Sequence, residues 1–345
     1  HKAIRRQRQM CIRDSYNKEK SHMAKILFLA QFAPTNGKKV IPLSSEEKFY
    51  AETYHLPICD ILEKYGYDYV TSSDVKELIQ NYAQYDLVWS VYNRLGFRNC
   101  EVFVQSICEY YNLPYIGATP NVRALVEDKS MSKQLAEHLQ IPTAKWVVAS
   151  SKYPLSAVAP FNGPYFVKPR FGSASIGIDE SCLCETWQHT IEKANSFLQN
   201  DIEVIVEEYI NGIYYGVPIL NNTEIPLIAV PHFQTSDKIG NIITNSQKRF
   251  TEGGMKRFIC QNEGLNKILK YYSNMYFMQM QPCDYARIDY IVEKDTGIPY
   301  FLEVNTLMNL GQKGGFVASF LESGFNSYDE IIRYIIDLGL SKVKK

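Results

Sequence analysis

The sequence predicts an α/β protein in which a mostly parallel N-terminal sheet precedes two lobes of mixed α+β character. Three observations carry this. From Met23 onward, apolar runs of strand length alternate with longer helix-period stretches, as the crossovers of a parallel sheet require. Farther along, strand patterns follow one another more closely, which marks the change to α+β organisation. A length of 345 residues accommodates two or three such units.

In the first unit, residues 23–125, a buried strand runs from Ile26 to Ala30 and a helix from Phe49 to Tyr65, stopped by Gly66. A strand from Tyr67 to Thr71 follows, then a helix capped by Asp74 and reaching Tyr82, then a strand from Asp86 to Val91. A helix from Glu101 to Tyr111 and a short strand from Pro114 to Gly117 complete it. The central lobe, 126–208, is entered along one helix from Asn121 to Leu139. Its strands are Lys145 to Ala149, Tyr165 to Lys168 and Glu203 to Glu208, with a helix from Glu185 to Leu198. The last lobe, 209–345, has strands near Tyr214 to Leu220, Ile225 to Val230, Arg287 to Val292 and Tyr300 to Val304.

Composition narrows the function classes. Basic and acidic residues each total 37, so the formal net charge is zero and a strongly basic nucleic-acid-binding surface is not expected. No apolar run approaches the ~20 residues of a membrane span. With 25 Tyr and 17 Phe, disorder is not expected either. The eight cysteines include no zinc-like pairing and read as free thiols in a reducing, cytoplasmic setting. Residues 1–22 are basic and lack the apolar segment of a secretory signal, so they read as a non-native or disordered leader outside the fold.

The strongest chemical signal is the hairpin Arg287-Ile288-Asp289 … Glu303-Val304-Asn305, turned by Lys294-Asp295-Thr296-Gly297. Residues two apart on a strand share a face. Symmetry about Thr296 sets Asp289 opposite Glu303 and Arg287 opposite Asn305. Like charges facing each other across strands are destabilising, and a hard cation such as Mg²⁺ would resolve the conflict; a surface Arg–Asp pair is the plainer alternative. The second signal is the strand Phe166-Val167-Lys168-Pro169 running into Gly172-Ser173-Ala174-Ser175-Ile176-Gly177. Small side chains let backbone N–H groups approach anionic oxygens, Ser175 adds a hydroxyl donor, and Lys168 adds a charge for phosphate. Lys129 and Lys133 share a helix face, and the strand Glu203 to Val206 runs directly into Glu207 and Glu208.

In this order the pieces resemble the ATP-grasp superfamily, and within it the D-alanine–D-alanine ligases. The family's lysine motif and following Ile-Pro-Thr run are similar to Asp128-Lys129, Lys133 and Ile141-Pro142-Thr143. Its Val-Lys-Pro strand and small-residue loop match Val167-Lys168-Pro169 and Gly172 to Gly177. Its hinge glutamate matches Val206 to Gly212, and its terminal strands match Arg287, Asp289, Glu303, Asn305 and Thr306. The resemblance implies an ATP-grasp fold with a Rossmann-like N-terminal domain, and an ATP-dependent carboxylate–amine ligase working through an acyl phosphate. It implies ATP and Mg²⁺ as cofactors, two ions held by Asp289, Glu303 and Asn305, with Mn²⁺ as a substitute. Lys129 and Lys168 would hold phosphates, Gly172, Ser173, Ala174 and Ser175 would cover them, and Lys248 would reach the γ-phosphate. Glu207, Glu208, Tyr209 and Ile210 would frame the adenosine, and Arg287 would stabilise the oxyanion. The partners implied are small-molecule amino-acid substrates and a second copy in a homodimer.

The sequence departs from the family on the substrate side. The Gly-Gly-x-Ser-x-Glu segment is missing, leaving Glu46 or Glu47 as the ammonium-binding counterpart. Tyr92-Asn93-Arg94 replaces His-Gly, and Leu307 to Gly315 replaces the Pro-Gly-Met segment and its serine. Arg94 and Lys313 are new basic residues there, either carboxylate contacts or plain surface charges. Two rival readings share the ATP half: a small-molecule kinase, and an ATP-binding regulatory protein without turnover.

Overall fold

The computed structural model describes residues 24–34, 48–49, 51–92, 100–172, 177–222, 224–235 and 256–344. The expected leader, 1–22, lies outside them.

Four parallel strands, β1 (Ile26–Leu29), β2 (Tyr69–Ser72), β3 (Leu87–Ser90) and β4 (Tyr115–Ile116), form a first sheet in the order β2-β1-β3-β4. β1 and β3 are buried along their whole length, as their continuous apolar runs dictate for a sheet covered on both faces. A π-helical turn, Ala51–His55, leads into α1 (Leu56–Lys64), which packs Ile58, Ile61 and Leu62 against Phe28 and Trp89. On the other face α2 (Lys76–Asn81) and α3 (Phe103–Tyr110) contribute Leu78, Val104 and Cys108. Asp74 is one residue short of the expected cap position, which Val75 occupies, yet its Oδ1 still accepts from the Lys76 N–H at 2.9 Å.

The single helix expected from Asn121 to Leu139 is two: α4 (Pro120–Glu127) and α5 (Lys129–His138). Asp128 between them is extended, with ψ 103°, and its carboxylate accepts from the N–H groups of Ser130 and Met131. That is an N-cap, which the apolar periodicity running through the site had concealed. The same carboxylate takes the Arg170 guanidinium, with Nη2 to Oδ2 at 2.6 Å, so the break also ties α5 to the next sheet.

That second sheet is antiparallel, order β5-β8-β6-β7, from β5 (Trp146–Ala149), β6 (Tyr165–Pro169), β7 (Leu183–Cys184) and β8 (Val204–Glu208). Tyr165, Val167, Val204 and Val206 point to α6 (Trp187–Leu198) and its Ala194 and Phe197. Alternation then places Lys168 and Glu207 on the opposite face.

The third sheet runs β12-β11-β9-β13-β14, with β10 (Leu227–Ile228) on β9. Its other strands are β9 (Gly212–Leu220), β11 (His232–Thr235), β12 (Lys256–Ile259), β13 (Tyr285–Glu293) and β14 (Pro299–Asn305). One face, with Val217, Ile219, Ala286, Ile288 and Tyr290, packs on α4 and on α7 (Glu263–Gln279), a helix absent from the sequence reading. The strand expected over Ile225 to Val230 shortens to β10. The chain ends in α8 (Gly315–Glu322) and α9 (Tyr328–Leu340), whose Phe316, Phe320, Ile332 and Ile335 enter the core of Phe28 and Trp89. The first and third sheets therefore share one core. All seven described cysteines are free thiols, and among the described residues no helix is long and apolar enough to cross a membrane.

Asp128→Ala removes the α5 cap and one of the two carboxylates that meet Arg170, the other being Glu203, so urea unfolding should reveal a loss on the order of 2 kcal/mol. Asp128→Asn, which keeps a cap acceptor, should lose less. Equal losses in the two variants would contradict the capping role.

Candidate active site

The β13–β14 hairpin has the register expected from its turn where the chemistry lies: Arg287 opposite Asn305 and Asp289 opposite Glu303. Beyond that, Tyr290 pairs with Phe301, so one residue is taken up in a bulge and the symmetry about Thr296 holds only on the site side. Arg287 grips Asp289 with two hydrogen bonds, Nε to Oδ1 and Nη2 to Oδ2, each 2.7 Å. Asn305 Nδ2 donates to Asp289 Oδ2 at 2.8 Å, and β9 places Tyr214 on the same face, near enough to bear on that carboxylate. Asp289 is inaccessible to solvent. Burial pushes its carboxyl up, and the guanidinium opposes the push; in return the carboxylate holds Arg287 firmly protonated.

The oxygen donors fit a hard cation, though not equally. Glu303 and Asn305 line a small cavity with Lys129, Gly172, Glu127 and Thr306. Because Asn305 spends its Nδ2 on Asp289, its Oδ1 remains an acceptor. Asp289 stands behind them with its oxygens engaged, and so it first positions Asn305 and Arg287. Among the described residues no group of three or more His, Cys, Asp and Glu is arranged for a metal. A cation shared with phosphate oxygens needs no such cage.

Across the cavity lies a buried charge cluster. Glu207 Oε2 meets Lys168 Nζ at 2.7 Å and its Oε1 meets Lys133 Nζ at 3.0 Å, with all three side chains at most 5% exposed. Lys168 and Glu207 are diagonal neighbours on the β6–β8 ladder, and Lys133 arrives from α5. Burial pushes Glu207 up, yet the two lysines outweigh it and hold the carboxyl at about 2. Lys133 also donates to Thr143 Oγ1 at 2.7 Å, and that hydroxyl donates to the Phe301 carbonyl on β14 at 2.9 Å. One turn before Lys133, Lys129 donates to the Gly172 carbonyl at 2.6 Å. Its pKa is pulled down by burial and pushed up by Glu303.

Glu208, Tyr209 and Ile210 are half-buried and carry the chain from β8 to β9. Lys313 is exposed, and it is its carbonyl, not its ammonium, that is engaged, accepting from Arg257 Nη1 at 2.7 Å. Glu46, Glu47, Arg94, Ser173, Ala174, Ser175 and Lys248 lie outside the described residues. Gly172 and Gly177, which border the small-residue loop, take φ of 88° and 75°, values open chiefly to glycine. The sequence reading assigned no role to Lys133, Thr143, Tyr214 or Arg257. The four-residue spacing of Lys129 and Lys133 announced the first of these. The other three depend on contacts between distant strands.

Glu207→Gln leaves two buried lysines without a counter-charge and should cost on the order of 3–5 kcal/mol. A carboxyl held at about 2, against an ordinary 4.5, contributes stability present above pH 4.5 and lost as the pH falls toward 2. Urea midpoints between pH 2.5 and 6 should therefore decline with acid in the wild type and flatten in Glu207→Gln; parallel curves would contradict the ion cluster.

Residues 129–337 match the family model for the D-ala D-ala ligase C-terminus. The chain is 30% identical over 242 residues to a D-alanine–D-alanine ligase of Clostridium perfringens, covering 69% of this chain and 75% of that protein. It is likewise 30% identical to one from Clostridium botulinum over 241 residues, 69% and 76% of the two chains. The crystal structure of D-alanine–D-alanine ligase from Bacillus anthracis complexed with ATP superposes with a TM-score of 0.71 at 21% identity, over 92% of this chain and 98% of that one. VanG D-Ala:D-Ser ligase from Enterococcus faecalis gives 0.67 at 18% identity, over 92% and 99%. The chain has the ATP-grasp fold and belongs to the D-alanine–D-alanine ligase family.

Proposed function

We propose that this chain joins a substrate carboxylate to the amine of a second amino-acid substrate through an acyl phosphate, with an acceptor side altered from its relatives. Membership of the family supports the coarser part, an ATP-dependent ligase that forms C–N bonds between small amino-acid substrates. One observation carries the finer part. Lys129 lines one cavity with Glu303 and Asn305 and also feels Glu207 and Lys168, so it links the buried charge cluster to the oxygen donors of the hairpin.

In that cleft Lys129 and Lys168 hold phosphate oxygens. Lys168 gives one hydrogen bond to Glu207, which leaves N–H groups of its ammonium for a nucleotide. Glu207, Glu208, Tyr209 and Ile210 border the adenosine, while Ser175 and Lys248 belong to the segments that close over the triphosphate. Glu303 and Asn305, with Asp289 behind them, would hold Mg²⁺ (two ions, with Mn²⁺ as a substitute), which would supply charge to screen the phosphate oxygens. Asp289 keeps Arg287 aimed, and Arg287 stabilises the oxyanion formed as the amine attacks. The closed cleft excludes water that would hydrolyse the acyl phosphate. Glu46, Glu47, Arg94 and Lys313 belong to the substrate side.

ADP release with Mg²⁺-ATP, against D- and L-amino acids offered singly and in pairs, tests the reading. The expected result is release that depends on a pair and an amide identified by mass spectrometry. A phosphate ester would make the protein a kinase instead, and bound ATP without ADP release under any mixture would make it a non-catalytic binder. Glu303→Gln should lower turnover on the order of 100-fold or more while urea unfolding stays close to wild type. Retained turnover would overturn the metal assignment.

A further inference from the structure

Strand parity extends the polar floor of the third sheet well beyond the hairpin. Asp289 is paired with Gly216 and Gly216 with His232; one step along, Tyr214 is paired with Gln234 and Gln234 with Arg257. Paired residues share a face, so Arg257 on edge strand β12 looks onto the same surface as Arg287 and Asp289. Its surroundings are unusual for an arginine. Nη1 is spent on the Lys313 carbonyl, Nε is buried without a partner, and no carboxylate pairs with it among the described residues. Burial together with the Arg287 charge, which already belongs to Asp289, pulls the Arg257 pKa down. Two guanidiniums on one face of the sheet, one of them half-buried and without a carboxylate of its own, leave a place for a second anion.

The first turn of α8 is drawn to the same spot. A Cβ on Gly315 would stand 2.2 Å from His232 Nε2, and one on Gly216 would stand 2.8 Å from it, so glycine at both positions lets helix and sheet close on the imidazole. His232 is inaccessible to solvent; its Nδ1 shares a hydrogen bond with Ser319 Oγ at 3.1 Å, and its Nε2, facing the helix start, has no partner. The N-cap is Gly314, which offers no side chain to the N–H groups behind it. The arginine, the open helix start and the unpartnered ring nitrogen converge where the clasp on the Lys313 carbonyl holds them. Phosphate is not the natural occupant, because the phosphate-side lysines and metal donors stand at the β13–β14 end of the sheet, whereas Arg257 enters from the opposite edge.

We propose that Arg257, with the first turn of α8, binds the carboxylate of the amine-bearing substrate and so selects amino acids over simple amines. This rests on the ligase reading and supplies what that reading left open, namely which residue replaces the serine lost from the 307–315 segment. Arg257 touches substrate but takes no part in phosphoryl transfer.

The test compares alanine, serine, aspartate and glutamate, in both D and L forms, as acceptors, each as free acid and as α-carboxamide. In the wild type the free acid should be preferred by roughly 10–100-fold in kcat/KM. Arg257→Gln, which can still donate to the Lys313 carbonyl, should bring that ratio near one through acceptor KM, with the KM for ATP unchanged. Arg257→Lys should keep part of the preference. Loss of activity toward acid and carboxamide alike would mean a structural role only and overturn the proposal, as would a wild type indifferent to the carboxylate. If no acceptor drives ADP release, the ligase reading fails on its own. Calorimetric binding of the same acids and carboxamides then decides for Arg257, with equal affinities in wild type and Arg257→Gln overturning it.

Discussion

Glu207 is the charge on which the docking of α5 against the second sheet depends. A carboxylate so deeply buried is costly unless its charge is met, and here two lysines from different elements meet it, one from β6 and one from α5. The consequence is geometric as much as energetic. Lys133 cannot serve Glu207 without drawing α5 against the second sheet, and its other hydrogen bond reaches Thr143, whose hydroxyl is anchored on the β14 backbone. The Phe301 N–H returns the link by donating to the Pro142 carbonyl at 2.7 Å. A single ionised group therefore fixes the angle between the central lobe and the strand that carries Glu303 and Asn305. Lys129, one turn from Lys133 on α5, is delivered to the cavity between them by that same docking.

The third sheet solves a related problem with its two faces. Ile288 and Tyr290 alternate with Arg287 and Asp289, so one strand supplies apolar side chains to the core shared with α7 and a buried charged pair to the opposite face. Anchoring of this kind is what a positioned guanidinium needs, since its rotamer is set by a carboxylate two residues away and not by solvent. Gly216 matters for the same reason. Opposite Asp289 it leaves the space into which His232 and the Arg287 side chain close, and any Cβ there would stand 3.1 Å from Arg287 Cδ.

Much of this was legible in the sequence wherever the information was local. The turn Lys294 to Gly297 and a period of two were enough to pair Asp289 with Glu303, because an antiparallel register is fixed by the turn that closes it. The bulge at the next step was not legible, since it depends on how β14 packs and leaves no residue signature. The apolar positions of α4 and α5 run in phase across Asp128, so the sequence reads as one helix there; the cap on α5 and the Arg170 guanidinium, 42 residues away, show why an aspartate stands between them. α7 escaped because its buried Leu269, Ser273, Tyr276 and Phe277 are diluted by exposed Ile268, Tyr271 and Met278, which blurs the face a periodicity search looks for. Arg257 escaped for a topological reason: β12 is four residues long, and its place beside β11 follows from the whole sheet.

The segment after Asn305 is held at three points, and none of them touches the Lys133–Glu207–Lys168 cluster. Tyr54 Oη donates to the Met308 carbonyl at 3.1 Å, Gly311 lies so close to the Thr53 carbonyl that a Cβ would be 2.2 Å from it, and Arg257 clasps the Lys313 carbonyl. The first two anchors belong to the π-helical turn that precedes α1, in the lobe that carries none of the nucleotide-side residues. The 307–315 segment is thus a joint between the π-helical turn before α1 and the far edge of the third sheet, whereas the Lys133–Thr143–Phe301 chain joins the second sheet to β14. Substitutions at Thr53, Tyr54, Gly311 or Arg257 act on the first joint and leave the Lys133–Glu207–Lys168 cluster untouched. Two joints with separate anchors would let the 307–315 segment change without disturbing the Lys133–Glu207–Lys168 cluster.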